Sequence, residues 1–192
     1  MLTSIKDEVR NALWGCLEIS LYLRKGATRF SGKKAAFYRS LLVPLFCLPL
    51  IIWIIPDAEN ETDRTFIWRF SLMCIQMYLG TAAFGTILYG FKGKNTSFED
   101  FLKCLTAYNW LTLSGFVVNI PLILLAISGV NTWDDVLAMM LLLGIYSYSF
   151  LAFMIIYVLR VSIFTAVSFA VADLLMGEVI SNITTYFMMK YF

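Results

Sequence analysis

The chain reads as an all-α protein, a polytopic helical bundle of the membrane with five transmembrane helices and an amphipathic interfacial helix near the N-terminus. Three observations predict this. Of 192 residues, 60% are apolar and 15% charged, with a mean hydropathy of +0.76, whereas soluble domains hold about 45–50% apolar and about 25% charged residues. Apolar stretches of about 20 residues or more, long enough to cross ~30 Å of hydrocarbon, recur between short polar turns. The basic residues, finally, gather on alternate connections, as the positive-inside rule requires.

Composition also excludes chemistry. The chain has no histidine, which removes Ser-His-Asp and Cys-His catalysis, histidine metal sites and histidine pH switching. Cys16, Cys47, Cys74 and Cys104 stand singly in apolar surroundings without a C-x-x-C pair, so they read as small hydrophobes rather than ligands or disulfides. A net charge of +2 is too small to point to nucleic acid. Neither a catalytic constellation, a cofactor nor a metal site is expected, and the protein is not expected to be an enzyme.

Residues 1–34 form an expected helix and basic linker. Ser4-x-x-Asp7 has capping-box spacing, and Ile5, Val9, Ala12, Leu13 and Cys16 share a face opposite Lys6, Asp7, Glu8 and Arg10. The early acids and Glu18 argue against a signal peptide. The helix is expected either in the interface plane, with Trp14 and Tyr22 at headgroup depth, or docked on the protein's own cytoplasmic face. Arg24, Lys25, Arg29, Lys33, Lys34 and Arg39 follow without an acid, a run drawn to anionic headgroups.

Residues 35–192 form the expected membrane domain. Span 1 covers about Ala35 to Ile55, kinked by Pro44 and Pro49, and is closed by Pro56 and an acidic loop. Span 2, about Thr65 to Phe91, carries Arg69, Met73, Gln76, Gly80 and Ala83 on one face, a polar-to-small stripe suited to close helix contact. Ser97-Phe98-Glu99-Asp100 caps the entry to span 3, about Leu105 to Ile127, where Thr106, Asn109, Thr112, Phe116 and Asn119 form the most polar face of the chain. Pro121 would release a carbonyl beside Asn119. Thr132-x-x-Asp135 caps span 4, about Val136 to Leu159. A tight turn at Arg160 would start span 5, about Ile163 to Met188, although 161–192 could instead lie on the membrane surface. Lys6 through Arg39, Lys92, Lys94, Lys103 and Arg160 would be cytoplasmic, twelve of the fifteen basic residues. The N-terminus is then inside and the C-terminus outside.

Polar residues at membrane depth are costly and therefore informative. Gln76, Tyr108, Asn109, Thr112, Asn119, Arg160, Asp173, Glu178 and Asn182 are the candidates for an intramembrane polar seam. The expected pairing sets the Asn109–Thr112–Asn119 face of span 3 against the Glu178–Ser181–Asn182–Thr185 face of span 5, with Asp173 about 140° from Glu178. Such a seam serves as inter-helix glue or lines a solute path, and Asp173 and Glu178 would be structural partners or a proton-coupled pair accordingly.

Gly93, Ser97-Phe98, Phe101, Tyr108-Asn109-Trp110 and Pro121, followed by Tyr146 and a run ending in Arg160, resemble the Yip1 (YIPF) family of five-span membrane proteins, in particular its uncharacterised bacterial members. The likeness covers roughly Ala35 to Phe192. It implies a non-catalytic organiser or scaffold, working through membrane lipids, a second copy or other membrane proteins, in a bacterial inner membrane. A small oligomeric transporter or channel, using the polar faces of spans 3 and 5, is the alternative.

Overall fold

Helices begin where the sequence offers a side chain to hold their free N–H groups. In the computed structural model, which describes residues 5–46, 63–90 and 96–191, the Ser97 hydroxyl accepts from the Asp100 amide at 3.0 Å and Thr132 forms a full capping box with Asp135. The described residues form α1 (Ile5–Ser20), a 3₁₀ turn (Arg24–Thr28), α2 (Lys34–Ser40), α3 (Asp63–Gly90), α4 (Phe98–Ile127), α5 (Trp133–Leu159) and α6 (Ile163–Tyr191), with no strand among them. Among the described residues, four helices are long and apolar enough to cross a membrane: Ser71–Gly90, Phe98–Ala126, Asp135–Leu159 and Ile163–Phe187.

α3 to α6 coincide with the second to fifth expected spans. α4 packs on α5, and α6 packs on both α3 and α5, so α6 stands within the bundle rather than across its end. The chain reverses between α5 and α6 at Arg160, which adopts the left-handed conformation (φ 56°). The end of α3, the start of α4 and the α5–α6 turn meet at one end, the proximal end, where Tyr89 packs edge-on against Phe101 at 5.7 Å.

The first expected span is interrupted within the described residues. α2 stops at Ser40, residues 41–42 turn, and helix resumes over 43–46. Pro44 has no N–H for the Ser40 carbonyl, and the Leu42 amide closes a tighter bond to Arg39 O at 3.1 Å. The Tyr78 hydroxyl donates to the Leu41 carbonyl at 3.1 Å. The rest of that span, with Pro49 and Trp53, and the acidic loop from Asp57 to Glu61 lie outside the described residues.

α1, the 3₁₀ turn and α2 fold back as an arm on the proximal half. Ala12, Gly15, Cys16 and Ile19 are the buried face of α1, and it meets α4 and α5. α1 closes with a Schellman pattern, Leu23 N–H to Glu18 O and Tyr22 N–H to Ile19 O, both 2.8 Å. This puts Tyr22 in the left-handed region (φ 55°), where a non-glycine residue is strained. Tyr22 is held there by a hydrogen bond with the Ser149 hydroxyl and by edge contacts with Tyr146 and Phe153. The Tyr146 hydroxyl also donates to the Ser20 carbonyl. At Gly26 a Cβ would stand 2.8 Å from the Gly15 carbonyl and 2.9 Å from Ile19, so only glycine lets the turn close on α1.

The arm also balances its own charge. Arg29 grips Glu18 with both ends of its fork, at 2.6 and 2.5 Å, and Arg39 does the same to Glu8. These bidentate pairs give the acids that looked out of place in an apolar helix their partners. α1 is in contact with the chain's own bundle. Its outward side still carries Leu13, Trp14, Leu17, Leu21 and Leu23, each about half exposed.

Candidate functional site

The polar residues of α4 lie on two adjacent faces and do different things. Asn109 is wholly enclosed. Its amide donates to the Ser40 hydroxyl at 2.9 Å, and its oxygen accepts from Thr81 at 3.3 Å. One side chain thereby ties α2, α3 and α4 about 16 Å along α4 from Phe98, taking 1.5 Å per residue. Neither partner hydroxyl stood out in the sequence.

Tyr108, one residue earlier, turns the other way. Its ring stacks on Phe84 at 4.3 Å, and its hydroxyl donates to Asp173 Oδ1 of α6 at 3.0 Å. Asp173 is 9% exposed. Two cavities flank this contact. One of about 360 Å³ lies between α3, α4 and α6, lined by Gln76, Gly80, Tyr108, Thr112 and Gly177 with Pro44. The other, about 300 Å³, lies between α4, α5 and α6, lined by Asp173, Thr112, Asn119, Ser147 and Tyr148 among others. Beyond the first, the Thr184 hydroxyl approaches Gln76 Oε1 at 3.5 Å.

The expected seam is thus partly assembled. Gln76, Tyr108, Thr112, Asn119 and Asp173 face the two cavities, and Asn109 locks the helices beside them. Asn119 does not reach a neighbouring helix: its amide donates to the Gly115 carbonyl on its own helix at 2.7 Å. Thr112 likewise bonds Tyr108 O at 3.3 Å.

Glu178, Asn182 and Arg160 are corrections. Glu178 and Asn182 are exposed and bond each other at 3.2 Å on the outward side of α6. The face of α6 turned to the bundle is instead Asp173, Gly177, Ile180 and Thr184, spaced by four, three and four. Both faces have helical spacing, and the outward one holds more polar groups, so counting them selected the wrong side. Arg160 is exposed in its turn. Among the described residues the ion pairs are Arg10–Asp7, Arg29–Glu18 and Arg39–Glu8, all in the arm.

Ser40, Thr81, Ser147, Tyr148 and Thr184 belong to this region without having been expected there. Thr184 lies eleven residues, three helical turns, from Asp173 and so could have been found by following the Asp173 face along the helix. Outside the spans, burial pushes the Cys16 thiol up to about 12, opposed by a hydrogen bond with Ser114, and the Arg29 guanidinium holds the Glu18 carboxyl below the usual carboxylate range. No cluster of three or more metal-ligating side chains occurs among the described residues. Comparison of the chain with known protein families, with curated proteins and with solved structures gives no match.

Proposed function

We propose that the chain is a non-catalytic, Yip1-like membrane organiser with five spans, its N-terminus cytoplasmic and its C-terminus outside, in a bacterial inner membrane. The arm is its working part. The observation that carries the reading is the arm's outward surface. The half-exposed ridge of Leu13, Trp14, Leu17, Leu21 and Leu23 runs directly into the exposed bases Arg24 and Lys25, and Lys33 and Lys34 are exposed farther along the arm. An apolar ridge edged by bases suits the acyl and headgroup layers of an anionic leaflet, each base near the surface adding about 1 kcal/mol. The internal pairs of Glu8 and Glu18 leave no acid of α1's second half to oppose that attraction. Membrane lipids are the first partner on this reading. The exposed Glu178–Asn182 pair on α6 is the place for a second copy or another membrane protein.

The test places a fluorophore on Leu17→Cys, with the native cysteines replaced by alanine, in vesicles containing bromine-labelled lipid. Quenching by the lipid and protection from an aqueous quencher are expected; the reverse pattern rejects the arm as a lipid-facing element. Reporter fusions after Gly32, Asn60, Asn95, Asn131 and the C-terminus should read in, out, in, out, out. A small oligomeric transporter is the second reading, favoured by the enclosed Asp173 beside two cavities.

A further inference from the structure

Asp173 sets a charge-balance problem. It accepts one hydrogen bond, from Tyr108, and no Lys or Arg pairs with it among the described residues. A carboxylate enclosed at this depth either takes up a proton or is met by a cation from outside the chain.

The surroundings distinguish the two. In the cavity of about 300 Å³ beside it, three polar side chains have turned their hydrogens back onto their own helices. Thr112 donates to Tyr108 O at 3.3 Å, Ser147 to Leu143 O at 2.9 Å, and the Asn119 amide to Gly115 O at 2.7 Å. A hydroxyl has one proton, so the oxygens of Thr112 and Ser147 can only accept from the cavity; Asn119 keeps its carbonyl oxygen as an acceptor and its second N–H as a donor. Tyr108 and Tyr148 line the cavity as well. The acceptors and the one carboxylate outnumber the donors, which are the Tyr148 hydroxyl and the second Asn119 N–H, and no Lys or Arg lines the cavity, which makes a site for a cation that carries hydrogen-bond donors. A bare metal ion fits less well, because Thr112 and Asn119 lie about 10 Å apart along α4 and cannot converge on one centre.

We propose that this cavity binds a small aliphatic amine as its ammonium ion, with Asp173 as counter-ion and the Thr112 and Ser147 oxygens accepting its N–H groups. The site is separate from the arm's lipid-facing surface and stands or falls independently of it.

The experiment measures equilibrium binding of radiolabelled butylamine, protonated at neutral pH, to the full-length protein in phosphatidylcholine nanodiscs. Expected is saturable binding at one site per chain, not displaced by excess butanol or sodium. It should fall at least tenfold in Asp173→Asn. It should fall equally in Gly144→Leu, which fills the cavity from a position where a Cβ meets nothing within 4 Å and which keeps the carboxylate if the first variant fails to fold. In the wild type, butylamine should remove the infrared carbonyl band of a protonated aspartic acid, and Asp173→Asn should lack that band throughout. Absence of saturable binding, full binding in either folded variant, sodium competing as well as unlabelled amine, or a protonated band that persists at saturation would each overturn the proposal.

Discussion

In the proximal half of the bundle, Phe84, Leu88, Phe150, Met154 and Ile155 are at most 2% exposed; farther along the same α5, Leu141, Leu142 and Ile145 stand 65–69% exposed. The difference follows the arm. Beside Tyr146, Ser149, Phe153 and Tyr157, α5 is covered by the end of α1 and by Arg24, whose guanidinium lies 5.1 Å from the Tyr157 ring centre. Toward Trp133, the outward side of α5 meets no such cover among the described residues. In lipid an exposed leucine costs little, because acyl chains are as apolar as its neighbours, and helix association comes from close packing and hydrogen bonds instead. The proximal half has both, and the distal half leaves its leucines exposed. One chain therefore holds a tightly packed end and an end with exposed leucines on the same helices.

The largest test of this contrast is Phe150→Ala, which empties an enclosed site and should cost about 3–5 kcal/mol in reversible unfolding measured in mixed micelles. A loss under 1 kcal/mol would mean that the proximal core is not close-packed. Next comes the arm itself. Gly26→Ala drives a methyl against the Gly15 carbonyl and Ile19 and should lift α1 off the bundle. Cys16, buried and with its thiol pushed up to about 12, should then react with a soluble maleimide at least tenfold faster at pH 7.5, while α5 labelled at Ile145→Cys keeps its rate.

A smaller effect is expected with acid. Arg29 lowers the Glu18 carboxyl pKa in the folded arm, so the stability it confers is present above the ordinary value of about 4.3 and is lost as pH falls through the depressed one. Between about pH 6 and pH 3, the midpoint temperature of the wild type should fall further than that of Glu18→Gln. Parallel curves would assign the acid sensitivity elsewhere. The smallest effect should be that of Ile145→Ala, within about 0.5 kcal/mol, which a loss of 2 kcal/mol would contradict.

Local chemistry made much of this architecture legible in the sequence. Ser97 and Thr132 mark helix starts because their hydroxyls satisfy amides three residues on, and Arg160 marks a turn because it is the charge between two apolar runs. Asn109 and Asp173 drew attention as polar groups in apolar helices. Tyr108, the partner of Asp173, drew attention with them, but the partners of Asn109 did not, because Ser40 and Thr81 are set by how the helices rotate about their axes, which a pattern within one helix does not determine. Glu178 illustrates the cost: its face carries more polar groups than the Asp173 face, yet it points away from the bundle. The ion pairs of Glu8 and Glu18 were hidden for a similar reason, since they join residues 31 and 11 positions apart across a fold-back.

The bond between Tyr22 and Ser149 spans 127 residues, and that separation is also an interval of time. At roughly 5–20 residues per second of synthesis, the arm waits about 6–25 s after its own last turn emerges before its docking surface on α5 exists. Its two bidentate ion pairs close within the first 39 residues, so it can wait with its carboxylates already matched. The arm is then seated well after it is made, and a ribosome stalled before residue 146 would hold a chain whose arm can meet α4 but lacks its hydrogen-bonding partners on α5.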